Sequence, residues 1–283
     1  MKSSAQDIVN SSSLTWHGDP PPPRRTRGAW DWLRIVRRGV PLALTVFGGL
    51  ALLVLLRLIE APLFNKRRPI TPWITRGVCV AALWWLGMGR RVDGAPMEEP
   101  GAGVANHISW LDIFAVNAGD CIYFVAKAEV AGWPAIGWLA RATGTVFIRR
   151  ARAEAPAQAQ LLERRLAAGH RLLIFPEGTS TDGLRVLAFR PTLFAPFFAS
   201  GLPCDLHVQP ITVRYEAPPG EDPRYYGWWG DMGFAESLID VLALPRPGRV
   251  VLRYNPPLAV ADFADRKSLA RAAEAAVRSG LGA

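Results

Sequence analysis

Three observations predict an α/β fold, with a mixed and largely parallel sheet flanked by helices and an N-terminal membrane-associated helical segment. From about residue 100 onward, short apolar runs alternate with stretches of helical period. The runs are bounded by turn residues, as strands buried between layers of helices are. Before residue 92 the pattern differs, with aromatic and basic residues surrounding long apolar stretches. The chain has 283 residues, half of them apolar and eleven of them Trp, which is enough for one α/β domain and an accessory segment.

Residues 1–27 are polar, with a Ser run and the Pro run Pro20–Pro23, and are expected to be a disordered basic and Pro-rich tail. They make a poor secretory signal, because the apolar stretch begins too far into the chain. Residues 28–91 form the helical segment. Trp30, Trp32, Arg34, Arg37 and Arg38 lead into the apolar stretch Val40–Leu56, whose 17 residues sit at the lower limit for crossing a bilayer. A second stretch, Val78–Met88, contains Trp84 and Trp85 and is too short to cross alone. Basic residues precede the first stretch, separate the two (Arg57, Lys66, Arg67, Arg68, Arg76) and follow the second (Arg90, Arg91). A true span normally leaves one flank less basic. The expectation is therefore two helices dipping into one leaflet with all ends cytoplasmic; a single span and a soluble core hairpin are the alternatives.

Residues 92–283 form the α/β domain. Its expected strands are Gly103–Asn106, Ile122–Ala126, Thr145–Ile148, Leu172–Phe175, Val208–Arg214 and Val250–Tyr254, and Pro210 suggests that its strand is an edge or a bulge. Helical patterns fall at about 109–118, 134–142, 152–169, 189–200, 233–243 and 266–279.

The net charge of +9 is unevenly placed: residues 1–91 carry fourteen Lys/Arg against four Asp/Glu, and the remainder nineteen against twenty. A nucleic-acid enzyme would carry its basic residues around the working site. Here they lie beside the most apolar part of the chain, which points to an anionic bilayer surface as partner and to no nucleic acid. Cys79, Cys121 and Cys204 show no paired spacing, which argues against a disulfide framework or a zinc site.

Two motifs bear chemistry. Asn106-His107-Ile108-Ser109-Trp110-Leu111-Asp112 follows an expected strand. His is the side chain best suited to take a proton near neutral pH. An acid five residues on would not share its face within one helix. The two meet if His107 lies in the strand-to-helix turn and Asp112 in the first helical turn. Asp112 then fixes the tautomer and stabilises the imidazolium. Ser109-x-x-Asp112 also reads as a helix-capping pair. The second motif, Phe175-Pro176-Glu177-Gly178-Thr179, turns away from a strand end, where α/β sheets bind ligands. Glu177 offers an acceptor for a substrate hydroxyl, Gly178 lets backbone N–H groups approach a developing oxyanion, and a solvated turn is the alternative. Between the two, Gly144–Arg150 is a β-branched strand ending in Arg149 and Arg150, suited to a phosphate or carboxylate.

These blocks, with Val208–Tyr215, occur in the order in which the glycerolipid acyltransferase family carries them, and over residues 100–215 the chain resembles that family, which includes the lysophosphatidate acyltransferases. The resemblance implies that His107 is the general base and Asp112 its partner. It implies that Arg149, Glu177 and Gly178, with Thr179, contact the acceptor headgroup. The donor it implies is acyl-CoA or acyl carrier protein, with no cofactor and no metal, and the acceptor a lysolipid at the cytoplasmic face of the bacterial inner membrane. Trp229–Met232, Thr179–Gly183 and Asp262–Lys267 carry a finer and weaker resemblance to the bacterial enzymes that acylate lyso-ornithine lipid. Arg149 suits either acceptor, and the general class leans to lysophosphatidate. A hydrolase is disfavoured by the lack of a G-x-S-x-G elbow. A non-catalytic membrane-surface module would leave the His/Asp and Glu/Gly blocks without a role.

Overall fold

The computed structural model describes residues 15–64, 68–149, 155–199, 202, 203 and 205–282. Lys66, Arg67, Arg150, Cys204, the Ser run before residue 15 and the start of the helix expected from 152 lie outside them.

Helices α1 (Ala29–Phe64) and α2 (Thr71–Trp85) form an antiparallel pair. The helices approach closely where Gly49 meets Val78: a Cβ at Gly49 would lie 2.3 Å from the Val78 side chain. Trp85 Nε1 donates to Thr45 Oγ1 at 3.0 Å. At the elbow the buried Glu60 accepts from the N–H groups of Ile70 and Thr71 and from the Thr71 hydroxyl, so a carboxylate closes the positive end of α2. The 36 residues of α1 are long and apolar enough to cross a membrane. Leu44, Leu55, Leu58, Ile59 and Leu63 of α1, with Trp73 and Trp84 of α2, are exposed, leaving a broad apolar surface without protein cover.

The sheet has eight strands: β1 (Gly89–Asp93), β2 (Gly101–Ala105), β3 (Tyr123–Lys127), β4 (Val146–Ile148), β5 (Leu172–Ile174), β6 (His207–Glu216), β7 (Arg249–Tyr254) and β8 (Leu258–Ala259). Their order is β1-β7-β6-β2-β5-β3-β4, with β8 beside the start of β6. Pairing is parallel except for β6 with β7 and with β8. The expected fold class is the observed one. Alternation along the strands sends Leu173, Ile211 and Val213 to one face, against α2, α3 (Leu111–Asn117) and α6 (Phe234–Ala243). Leu172, Ile174 and Val208 face the other way, against α5 (Ala155–Ala167), a 3₁₀ segment at Pro191–Phe198, and α7 (Arg266–Leu281). The short α4 (Ile136–Ala142) leads into β4. Asp265 caps α7 by accepting from Lys267 and Ser268 N–H, which gives the Asp262–Lys267 segment a structural duty.

The structure corrects three expectations. Pro210 is not on an edge, because β6 has β2 on one side and β7 and β8 on the other. Its carbonyl accepts from Asn255, so its missing N–H faces the break between β7 and β8, where no ladder bond is lost. The basic flank at Arg90 and Arg91 is itself a strand, β1, parallel to β7 and spanning the boundary expected at residue 91. Residues 15–27, though largely exposed, are held against the domain and do not form a free tail. Trp229 Nε1 donates to the Asp19 carbonyl, Arg24 pairs with Glu236, Arg25 with Glu221 and Arg27 with Asp240. The arginines that suggested a solvated tail meet carboxylates on α6 and the loop before it.

Candidate active site

The strand β2 is central, and its C-terminal end opens into the turn Asn106–Trp110 before α3. Asn106 is buried and locks this turn to β6, donating to the Val213 carbonyl and accepting from Val213 N–H. His107 follows it with its backbone held at both ends: its N–H donates to Glu177 Oε2 at 3.2 Å, and its carbonyl accepts from Thr181 N–H at 3.0 Å. The imidazole stacks on Phe175, with ring centroids 4.1 Å apart and planes inclined by 16°.

Asp112 lies in the first turn of α3, the placement that lets a residue five positions on reach His107. His107 Nδ1 is 2.7 Å from Asp112 Oδ2. The same oxygen accepts from Ile108 and Ser109 N–H, and Oδ1 accepts from the Tyr215 hydroxyl at 2.7 Å. A carboxylate ringed by donors fixes the hydrogen of the imidazole on Nδ1, leaving the Nε2 lone pair for a proton. The Asp112 side chain is fully buried, whereas 21% of the His107 side chain is exposed. This is a base that opens to solvent backed by an acid that does not.

Tyr215, at the end of β6, was given no role in the sequence. Burial and the Asp112 carboxylate push its hydroxyl well above the ordinary tyrosine value, so it stays protonated and donates. The one signal for it is its place in the Val208–Tyr215 strand, which overshoots β2 and so reaches the turn beyond.

Glu177 is buried, and both its oxygens receive backbone N–H groups, Oε2 from His107 and Oε1 from Leu187 at 3.0 Å. Burial, with a smaller push from Asp112, raises it to about 8 against those hydrogen bonds. Its geometry is that of a brace for His107. Gly178 takes φ +75, a conformation that favours glycine, and its N–H closes the turn onto the Phe175 carbonyl instead of pointing at an oxyanion position. Thr179 Oγ1 accepts from Trp16 N–H at 3.0 Å, so residues 15–27 reach the turn that the sequence singled out. Arg149 is exposed just beyond β4. Three strand spacings separate β2 from β4, roughly 14 Å. The structure thus gathers His107, Asp112, Glu177, Gly178 and Thr179 and leaves Arg149 to one side. Ser109 is fully buried and offers no exposed nucleophile. The arrangement is suited to taking a proton from a hydroxyl.

Residues 90–214 match the family model described as Acyltransferase. The chain is 55% identical to the lyso-ornithine lipid O-acyltransferase of Rhodobacter capsulatus, over 94% of this chain and 97% of that one. It is 35% identical to the lyso-ornithine lipid O-acyltransferase of Pseudomonas aeruginosa, over 88% and 94%. Identity to the 1-acyl-sn-glycerol-3-phosphate acyltransferase of Neisseria meningitidis is 33%, over 60% and 65%. The fold is also that of the 1-acyl-sn-glycerophosphate acyltransferase PlsC of Thermotoga maritima, with a TM-score of 0.62, 21% identity, and coverage of 89% of this chain and 95% of that one. A base–acid pair at the end of a central parallel strand, in a chain with relatives of this length and identity, leaves one conclusion: the protein belongs to the acyltransferase family.

Proposed function

We propose that this acyltransferase esterifies the free hydroxyl of lyso-ornithine lipid, drawing the acyl group from acyl carrier protein or acyl-CoA at the cytoplasmic face of the membrane. The acceptor is supported by the 55% identity that runs nearly end to end with the Rhodobacter capsulatus enzyme. The lean to lysophosphatidate in the sequence gives way to that likeness. Lysophosphatidate remains the second acceptor to test, on the strength of the Neisseria relative.

The hydrogen bond from His107 to Asp112 carries the chemistry. A hydroxyl is a poor nucleophile because so little of it is ionised. His107 Nε2 takes its proton as the oxygen attacks the thioester carbonyl, and the thiolate leaves. Asp112 holds the imidazolium formed, which then protonates the thiolate. General base catalysis of this kind contributes about 10²–10⁴ in rate. Transfer is direct, with no acyl-enzyme. The uncovered apolar face of α1 and α2 lies against one leaflet, where both acceptor and product reside.

The test is transfer of a labelled acyl group from an acyl thioester by membranes bearing wild type or His107→Ala, with each acceptor offered separately. Transfer to lyso-ornithine lipid, abolished by the substitution at equal protein abundance, is the expected result. Undiminished transfer by the variant removes His107 from the reaction, and exclusive use of lysophosphatidate refutes the acceptor.

A further inference from the structure

The loop after Thr179 wraps around the turn that carries His107. Thr181 N–H donates to the His107 carbonyl, and a Cβ at Gly183 would lie 3.0 Å from the Ile108 side chain. Within this loop Asp182 is almost wholly buried, and Arg185 forks onto it, Nε to Oδ1 at 3.3 Å and Nη2 to Oδ2 at 2.9 Å. The Arg185 guanidinium also lies beneath the Trp16 ring, 5.3 Å from its centroid. Trp16 is in turn the residue whose N–H caps Thr179.

Two of the five N–H donors of Arg185 are therefore committed to protein. The remainder, on a side chain that is 48% exposed, have no protein partner among the described residues. An arginine held by a fork below and a ring above has little rotamer freedom left to lose on meeting an anion. We infer that Arg185, oriented by Asp182 and Trp16, is the receptor for the α-carboxylate of the acceptor headgroup. This inference rests on lyso-ornithine lipid being the acceptor.

The spacing of charge in that acceptor supports the assignment. In a 3-hydroxyacyl amide of ornithine, six bonds separate the reacting oxygen from the carboxylate carbon. That is the length of two extended residues, roughly 7 Å. The anion must therefore be met beyond the His107 turn itself, and the loop wrapped around that turn is where Arg185 stands. Arg149 follows β4, whose backbone is three strand spacings, roughly 14 Å, from β2. Asp182 serves here as a positioning residue, since it is buried and already paired.

The test compares kcat/KM for lyso-ornithine lipid with that for the same hydroxyacyl amide built on 1,4-diaminobutane, which lacks only the carboxylate. Wild type is expected to prefer the carboxylate by about ten- to hundredfold, the range of one charge-assisted hydrogen-bonded pair. Arg185→Met is expected to bring that ratio to within about threefold of unity, chiefly through KM. Arg185→Lys keeps a counter-charge for buried Asp182, so it reports even where the Met variant folds poorly, and is expected to retain an intermediate preference. Trp16→Leu leaves the fork intact and is expected to lower the ratio only a few-fold. A wild type indifferent to the carboxylate, or an Arg185→Lys variant with the full wild-type ratio, overturns the inference while leaving the acceptor in place. A wild type that acylates neither compound refutes the acceptor itself, and the inference with it.

Discussion

Removing one oxygen from Tyr215 isolates the energetic contribution of the support behind the His107–Asp112 pair. In Tyr215→Phe the ring can still pack against Tyr226, 5.5 Å away between centroids, while Asp112 Oδ1 loses the donor at 2.7 Å. Asp112 is buried, so no bulk water replaces the hydroxyl. A hydrogen bond to a charged group contributes about 1.5–3 kcal/mol. At about 2–4 °C per kcal/mol for a domain of this size, the variant should melt roughly 3–12 °C lower. The other three bonds to Asp112, from His107, Ile108 and Ser109, all meet Oδ2, so the carboxylate becomes free to pivot about that oxygen. The pivot loosens the partner of the imidazolium, and kcat should fall about tenfold, equivalent to about 1.4 kcal/mol. KM should stay within about twofold, because Tyr215 meets Asp112 and not the exposed side of His107. The assay is steady-state acyl transfer in mixed micelles, with thermal unfolding followed in parallel. Melting and kcat both equal to wild type would refute the claim that this hydrogen bond supports the pair. A rise in KM at constant kcat would place Tyr215 at the acceptor instead.

Asp112→Asn should lower kcat by about 10³–10⁴ with little change in KM, because an amide at this position favours the wrong imidazole tautomer. Single-turnover acyl transfer measures this, and a loss under tenfold would contradict it. Glu177 is raised to about 8 in the folded protein from an ordinary value of 4.5, so the folded state holds its proton more tightly than the unfolded one. Stability from this group is greatest below pH 4.5 and declines as pH rises towards 8, by a few kcal/mol in order of magnitude. Glu177→Gln should flatten that slope in urea unfolding measured between pH 5 and 8.5, and an unchanged slope would assign it to other groups. Gly49→Val should separate α1 from α2, since the Cβ alone would come within 2.3 Å of Val78. Lower melting and lower activity are expected together, and an unaltered variant would show that the close approach is not required.

The features legible in the sequence are those fixed by local pattern. Leu172–Ile174 and Val250–Tyr254 announce themselves as apolar runs between turns, and His107 and Asp112 meet because the strand-to-helix turn brings them together over five residues. What the sequence hid depends on partners distant in the chain. β1 reads as a basic flank because Arg90 and Arg91 are exposed and charged, and only its pairing with β7, some 160 residues on, makes it a strand. Pro210 argues for an edge until the break between β7 and β8 is known. Residues 15–27 look unstructured because their binding partners, Glu221, Glu236 and Asp240, lie more than 190 residues away. Tyr215 is hidden for the same reason, since nothing near it in sequence names Asp112. Glu177 was legible as part of the strand-end turn, but that both its oxygens meet backbone N–H groups was not.

The segment from Trp16 to Gly28 begins at the Thr179 turn and ends at the first turn of α1, where Gly28 N–H meets the Asp31 carboxylate. Between those points it is anchored to α6 and the loop before it by three ion pairs. The segment thus connects the helix that carries the apolar surface to the loop around His107. α2 also packs directly on α3, the helix that carries Asp112, and α1 on α6, so the segment adds a second attachment to a position the core already fixes. The N-terminal segment therefore acts as a strap across α6 and the Thr179 turn, and removing its three ion pairs together should free Thr179 as well as the segment itself.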